Sequence, residues 1–134
     1  MNLDELRAVQ ADERSADGLQ ALPDSFYRDV AAYLDELRAE RNRIASQSSD
    51  PFESEEVQQL TDEIGTVEAV TEAIYERRIG KVMKQASLTA SGVQSDEDGL
   101  TDEETALYQE LVSVIESNRE EVLSILQSDR SSPL

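Results

Sequence analysis

Four basic side chains crowd into eight consecutive positions of this chain: Arg77, Arg78, Lys81 and Lys84. They are a third of its 12 basic residues and include both of its lysines. On a helix, Arg77, Lys81 and Lys84 share one face, because spacings of three and four residues nearly complete whole turns. Such a cluster can pair with carboxylates of the same chain, meet carboxylates of a partner protein, or contact DNA phosphates.

The net charge weighs against the DNA interpretation. Thirty acidic residues against 12 basic ones give −18 at pH 7, and almost no other basic surface remains. Ten of the basic residues are arginine and only two are lysine, and an acidic excess with so little lysine favours a protein from a salt-loving cell. The alternative is an acidic protein of an ordinary cytosol. In the first case we expect folding to require salt, which screens the self-repulsion.

Other patterns that could support chemistry are incomplete. The chain has no histidine and no cysteine, which excludes most nucleophile–base pairs and zinc sites. Asp50, Glu53 and Glu56 have a spacing that could hold Mg²⁺, but no second helix supplies a matching pair. The acidic run Asp96–Gly99 fails as an EF-hand loop, because position one would be Gln94. We therefore predict no enzyme, no metal site and no cofactor.

Apolar residues at helical spacing predict an all-α protein, a bundle of about four main helices with one long central helix. No apolar run approaches the roughly 18 residues that a membrane span needs. Inside the long helix, Gly65 and Gly80 either admit a close neighbour or mark a bend. The predicted helices run from Asn2 to about Glu13, from about Asp24 to Ala45, from about Ser54 to Leu88, and from Thr101 to about Leu126.

Two sequence signals mark helix starts, and one stripe marks a buried face. Asn2 with Glu5, and Thr101 with Glu104, have the spacing of capping boxes. In the long helix, an apolar stripe is predicted on roughly the opposite side from the basic face. The stripe residues are Tyr75, Ile79, Val82 and Ala86.

The basic segment also carries a family resemblance. Residues Ala73–Ala86 resemble the arginine-rich helix segment, Tyr-x-Arg-Arg-x-x-Lys-Ile/Val, of archaeal GINS subunits. Leu3–Arg7, Phe26-Tyr27 and Leu100–Glu104 are similar to other parts of the same family, and the resemblance extends from about Leu3 to Leu126. The chain is therefore identified as resembling a haloarchaeal-type GINS replication subunit, with the helical A domain N-terminal.

The resemblance implies a non-catalytic scaffold that joins a sister GINS subunit in a hetero- or homo-tetramer. It further implies that this assembly bridges MCM helicase to a Cdc45/RecJ-like protein and contacts polymerase or primase, in the cytoplasm at the nucleoid. Residues 1–127 would be the A domain and 128–134 a linker or tail, with the expected small β-rich B domain absent from this chain. The alternative is a stand-alone helical adaptor or homo-oligomerising protein unrelated to replication.

The candidate site of this interpretation is an interface or a structural ion-pair cluster on the long helix, without direct sequence-specific DNA binding and without membrane contact. Its residues are Tyr75, Arg77, Arg78, Lys81 and Lys84.

Overall fold

Four helices make up the regular structure of the described residues. The computed structural model describes residues 1–47, 54–94 and 97–131, and within these ranges there is no strand. The expectations for Asp50, Glu53, Asp96 and Pro133-Leu134 lie outside the described residues. The all-α prediction is confirmed. The helices are α1 Leu3–Ser15, α2 Phe26–Gln47, α3 Glu55–Ala90 and α4 Asp102–Ser131.

Side-chain caps set the starts of three helices. The Asn2 side chain accepts a hydrogen bond from the Glu5 N–H at 2.9 Å, as its spacing predicts. At α4 the capping box is reciprocal, because the Glu104 N–H donates to Thr101 Oγ1 at 3.2 Å and the Thr101 N–H donates to Glu104 Oε1 at 3.0 Å. Ser54 caps α3 by accepting from the Val57 N–H at 3.3 Å. Each cap satisfies an N–H that the first helical turn leaves unpaired.

Helix α3 is the spine of the bundle. Its 36 residues span about 54 Å at 1.5 Å per residue. In the described part of the chain, α1, α2 and α4 each pack against α3, and none of these three makes a close backbone approach to another. The prediction of one long central helix is therefore confirmed.

The core is divided into two apolar clusters along α3. The first cluster packs α1 and α2 on the N-terminal part of α3, and the second packs α4 on its C-terminal part. One arginine, Arg78, lies between Ile74 of the first cluster and Val82 of the second. The buried residues of the first cluster are Leu6, Leu22, Phe26, Val30, Val67, Val70 and Ile74. Those of the second are Val82, Ala86, Leu100 and Tyr108.

Helix α4 runs beside α3 in the same direction and then projects past its end. Glu104 meets Arg78, and one turn later the Tyr108 hydroxyl lies 2.5 Å from Thr89 Oγ1, near the C-terminus of α3. From residue 116 to 128 every side chain of α4 is exposed. The helix continues to Ser131, beyond the end at about Leu126 that the sequence pattern predicts. The division of the chain into 1–127 and 128–134 stays a prediction.

The two glycines inside α3 have open space around them in the described part of the chain. A Cβ placed on Gly65 or Gly80 meets no atom of another element within 4 Å, so no helix of these residues packs on them. A close neighbour from a partner, and a bend, stay predictions. Gly99 differs, because its φ is +89° and a Cβ there would lie 2.9 Å from Ala21 Cα. Glycine is required at Gly99 by both backbone conformation and space.

These three glycines form a matched test. Replacing Gly65 or Gly80 by alanine should raise the free energy of unfolding by about 0.5–1 kcal/mol each, because alanine restricts the unfolded chain more and fits the helix. Gly99→Ala should lower it, because the added methyl is strained. Chemical denaturation followed by circular dichroism measures all three. A stabilising effect of Gly99→Ala, or a loss in both helix variants, would contradict the described environments.

Candidate functional site

The most unusual group in the chain is a fully buried guanidinium. Arg78 is 0% exposed and continues the buried stripe of α3 through Ile74, Val82 and Ala86. Its Nη1 donates to Glu13 Oε1 at 2.6 Å. Its Nε and Nη2 donate to the two carboxylate oxygens of Glu104, each at 2.7 Å. The arginine therefore lies between a carboxylate of α1 and a bidentate carboxylate of α4.

Two loop carbonyls complete the hydrogen bonding of Arg78. Nη1 also donates to the Gln20 carbonyl, in the α1–α2 loop, at 2.9 Å. Nη2 also donates to the Gly99 carbonyl, in the α3–α4 loop, at 2.9 Å. A guanidinium has five N–H donors, and all five are now matched by an acceptor. The burial of a charged guanidinium is tolerated when its N–H groups have such hydrogen-bond acceptors.

A lysine shares the carboxylate of Glu13. Lys81 Nζ donates to Glu13 Oε2 at 2.7 Å, to the Glu13 carbonyl at 2.6 Å and to the Gly18 carbonyl at 2.9 Å. The Gln20 side chain donates to Glu13 Oε1 at 2.9 Å and to the Val9 carbonyl at 2.7 Å. Lys81 therefore holds the end of α1 and the loop that follows it against α3, and the Gln20 side chain holds that loop against α1.

A tyrosine joins α2 to the same group. The Tyr27 hydroxyl donates to Glu104 Oε2 at 2.7 Å. Glu104 is both the capping-box residue of α4 and the bidentate partner of Arg78, so one carboxylate ties α2, α3 and the start of α4 together. We call this group the Arg78 cluster. It consists of Arg78, Glu13, Glu104, Lys81, Gln20 and Tyr27.

The charges within the Arg78 cluster balance. Two cations, Arg78 and Lys81, face two carboxylates, Glu13 and Glu104. Glu13 and Glu104 are 0% and 3% exposed, so water contributes little to their solvation. The loss of any one of these four charged groups would leave a buried charge without full compensation, which costs far more than the pair contributes in net stability.

The pKa values of Glu13, Glu104 and Tyr27 follow from burial and from the hydrogen bonds within the cluster. Burial by itself raises the pKa of Glu13 and of Glu104. Hydrogen bonds from Lys81, Arg78 and Gln20 outweigh burial at Glu13, so its pKa is below the usual value. At Glu104 the bonds from Arg78, the Thr101 N–H and Tyr27 do the same. Burial and the bond to Glu104 raise the pKa of Tyr27, which keeps its hydroxyl a donor.

The five candidate residues from the sequence lie in different places. Arg78 and Lys81 belong to the Arg78 cluster, and both donate to the chain's own carboxylates. Arg77 is exposed and donates to the Arg14 carbonyl at 2.9 Å. Tyr75 is 42% exposed, with its ring 6.0 Å from that of Tyr27. Lys84 is exposed, and it forms no ion pair with any residue that the structure describes. The candidates therefore divide between a buried group and an exposed surface.

The predicted apolar stripe needs a correction. Val82 and Ala86 are buried as predicted, but Tyr75 is exposed and Ile79 is only half-buried. The buried stripe instead includes Arg78, because α4 supplies the carboxylate that makes a buried arginine acceptable.

Sequence reasoning missed Glu13, Glu104, Gln20 and Tyr27 as members of the Arg78 cluster. One signal was present: Arg78 is four residues after Ile74 and four before Val82, which is the register of a core position. An arginine at a core register needs a buried carboxylate. Nothing in the spacing indicates that the carboxylates come from α1 and α4.

The described part of the chain offers no other polar centre of this kind. Within it, no group of three or more acidic side chains is arranged to hold a metal ion. No helix in the same residues is long and apolar enough to cross a membrane. The cluster links all four helices, so its evident effect is to position them relative to one another.

Replacing the buried arginine should destabilise the fold. Arg78→Met should lower the free energy of unfolding by about 3–5 kcal/mol, because Glu13 and Glu104 would remain as buried charges without their main partner. Arg77→Met is the matched control and should change it little, because Arg77 is exposed. Urea denaturation in molar KCl measures both variants. Equal stability of the two would refute the structural importance of the cluster.

The same carboxylates predict acid sensitivity. The pKa values of Glu13 and Glu104 are lowered on folding, so their stabilisation is present above the unfolded pKa of about 4.3 and is lost as pH falls through the folded values. In about 2 M KCl, which screens the surface repulsion, the free energy of unfolding should fall below about pH 5.

A matched pair of variants identifies the groups responsible for this loss. Glu104→Gln should be less stable at pH 7 and should show a flatter pH dependence, whereas exposed Glu110→Gln should behave as the native chain. Identical pH slopes for the native chain and Glu104→Gln would contradict the assignment.

Comparisons with known proteins agree with this architecture. The family model for Sld5, the GINS complex protein helical bundle domain, matches residues 1–122. A comparison with curated proteins found no match. The resemblance to GINS subunits is thus confirmed, while the archaeal and salt-adapted type stays a prediction. The match includes all of α1, α2 and α3 and most of α4, and the chain therefore belongs to the GINS helical bundle family.

Proposed function

We propose that this chain is a non-catalytic scaffold subunit of the GINS complex in chromosomal DNA replication. The observation that carries the proposal is the family match over residues 1–122. The geometry supports it, because the polar side chains of the Arg78 cluster are already bound to one another and to loop carbonyls. These side chains therefore stabilise the arrangement of the helices. In this proposal, the outer surface of the bundle binds the partner proteins.

The surface carries apolar side chains that a partner protein would cover. Among the described residues, ten large apolar side chains are exposed, and five of them lie on α4. Exposed apolar residues that lie close together on one helix are typical of interaction surfaces. We assign the sister GINS subunit as the partner, in a hetero- or homo-tetramer. The exposed residues of α4 are Val114, Val122, Leu123, Ile125 and Leu126.

The finer functional assignments follow from the family resemblance. In this proposal the assembly bridges MCM helicase to a Cdc45/RecJ-like protein and contacts polymerase or primase. It acts in the cytoplasm at the nucleoid and without direct sequence-specific DNA binding. The −18 charge supports the last point, because phosphates are repelled by an acidic surface. A protein interface at Tyr75, Arg77 and Lys84 is part of the proposal, since these candidate residues are exposed.

Co-expression tests the assembly. The 134-residue chain is produced with and without the sister GINS subunit of the same organism and analysed by size-exclusion chromatography with light scattering in molar KCl. A larger species that contains both chains is expected. A chain that stays monomeric beside its sister subunit would refute the proposal. A stable homo-oligomer that ignores the sister subunit would favour the alternative of a stand-alone adaptor.

A separate binding experiment tests whether the assembly bridges MCM helicase and the Cdc45/RecJ-like protein. Immobilised assembly should retain MCM helicase and the Cdc45/RecJ-like protein together, and each should also bind in the absence of the other. Retention of neither protein would refute the bridge while leaving the assembly itself intact.

A further inference from the structure

The C-terminal part of α3 and the residues that follow it form the longest stretch of the chain without an acidic side chain. Residues 77–94 contain no aspartate or glutamate, although 30 of the 134 residues are acidic. Four of the 12 basic residues lie in this stretch. Two of them are bound within the Arg78 cluster, whereas Arg77 and Lys84 are exposed. Neither Arg77 nor Lys84 forms an ion pair with a residue that the structure describes, so both charges are available to a partner.

Arg77 and Lys84 lie on one side of α3, which we call the outer face. Their spacing of seven residues is nearly two whole turns and separates them by about 10.5 Å along the helix. Val82, which belongs to the apolar cluster that packs against α4, points about 160° away from Lys84 around the helix. The outer face is therefore turned away from α4. Its residues, all exposed in the described chain, are Arg77, Gly80, Met83, Lys84, Ser87 and Leu88.

A glycine lies between the two cations of the outer face. A Cβ placed on Gly80 meets no atom of another element within 4 Å, so the backbone there is open to close approach. Glycine inside a helix costs about 1 kcal/mol relative to alanine, and no contact in the described chain requires it at this position. A second helix packed on the outer face would require it, because small side chains at the contact permit the shorter of the usual interaxial distances of about 8–10 Å.

Apolar side chains flank the lysine of the outer face. Met83 is 54% and Leu88 40% exposed, and they lie on either side of Lys84 around the helix. A partner helix that carries both carboxylates and apolar side chains matches this combination. A nucleic acid matches it less well, because phosphates offer Met83 and Leu88 no apolar contact and the net charge of −18 repels them. The same net charge disfavours a second copy of the chain.

We propose that the outer face of α3 binds an acidic amphipathic helix of a partner protein. Two carboxylates seven residues apart on that helix pair with Arg77 and Lys84, and a small residue between them packs on Gly80. The inference rests on the proposed function, because it gives the exposed interface at Arg77 and Lys84 a partner of defined chemistry. Since α4 packs on the other side of α3, this helix and a sister subunit bound to α4 occupy separate surfaces.

A designed peptide is the probe. It is a labelled helix of about 20 residues, long enough to be helical alone, with two glutamates seven residues apart, alanine between them, leucines beside them and glutamine on its outer side. The control peptide has glutamine in place of both glutamates. Fluorescence anisotropy with the 134-residue chain, at the lowest KCl concentration at which circular dichroism shows it folded, should give at least about fivefold tighter binding of the glutamate peptide.

Two variants with matched controls locate the binding surface. Lys84→Glu should weaken binding of the glutamate peptide by at least about fivefold, whereas Arg7→Glu, the same change of charge at an exposed site of α1, should stay within about twofold. Gly80→Gln should also weaken it at least about fivefold by blocking close approach, whereas Gly65→Gln should not. Both glycine variants should keep or gain thermal stability, because glutamine is the better helix former, so a loss of binding in Gly80→Gln is not a loss of fold.

Equal binding of the two peptides, or native affinity in Lys84→Glu, would refute the docking surface. Co-expression with the sister subunit would still decide the proposed function, because it does not use the peptide. Retention of the peptide by the chain in complex with the sister subunit supports a separate partner. Displacement of the peptide by the sister subunit, or by a DNA oligonucleotide that no longer binds Lys84→Glu, would overturn the choice of occupant. A native dimer that Lys84→Glu dissociates would do the same.

Discussion

The burial of one guanidinium determines how this bundle is assembled. Arg78 needs five acceptors in a place that water does not reach, and these come from α1, α4 and the two loops around Gln20 and Gly99. Each contact is worth little in net free energy, yet the absence of any one is costly. The ion pairs therefore specify where the helices meet, while the two apolar clusters supply the driving force for folding.

Salt acts differently on the two kinds of charge in the protein. Surface carboxylates repel one another over roughly 10 Å at 0.1 M ionic strength and are screened at higher salt. Arg78 and Glu13 are 0% exposed, so ions in solution hardly reach their interaction. A salt requirement for folding stays a prediction. It would arise from the repulsion between surface carboxylates. The internal contacts that position α1 and α4 would remain of similar strength from dilute to concentrated salt.

The helical architecture can be predicted from the sequence because it depends on local signals. Capping at Asn2 and Thr101, and apolar spacing along α3, arise from residues within a few turns of one another. The partners of Arg78 are 26 and 65 residues away, and no local spacing encodes such a pairing. The end of α4 was missed for another reason. Residues 127–131 include no apolar side chain that continues the helical spacing, so Leu126 resembles the end of the helix.

The division of the core by Arg78 has a consequence for cooperativity. Opening of either apolar cluster breaks part of this ion-pair group, because separation of α4 removes the two hydrogen bonds of Glu104, and separation of α1 removes Glu13 from Arg78 and Lys81. The loss of a counterion from a poorly solvated charge adds to the free-energy cost of partial opening. We therefore expect the two small cores to unfold together as one thermodynamic unit.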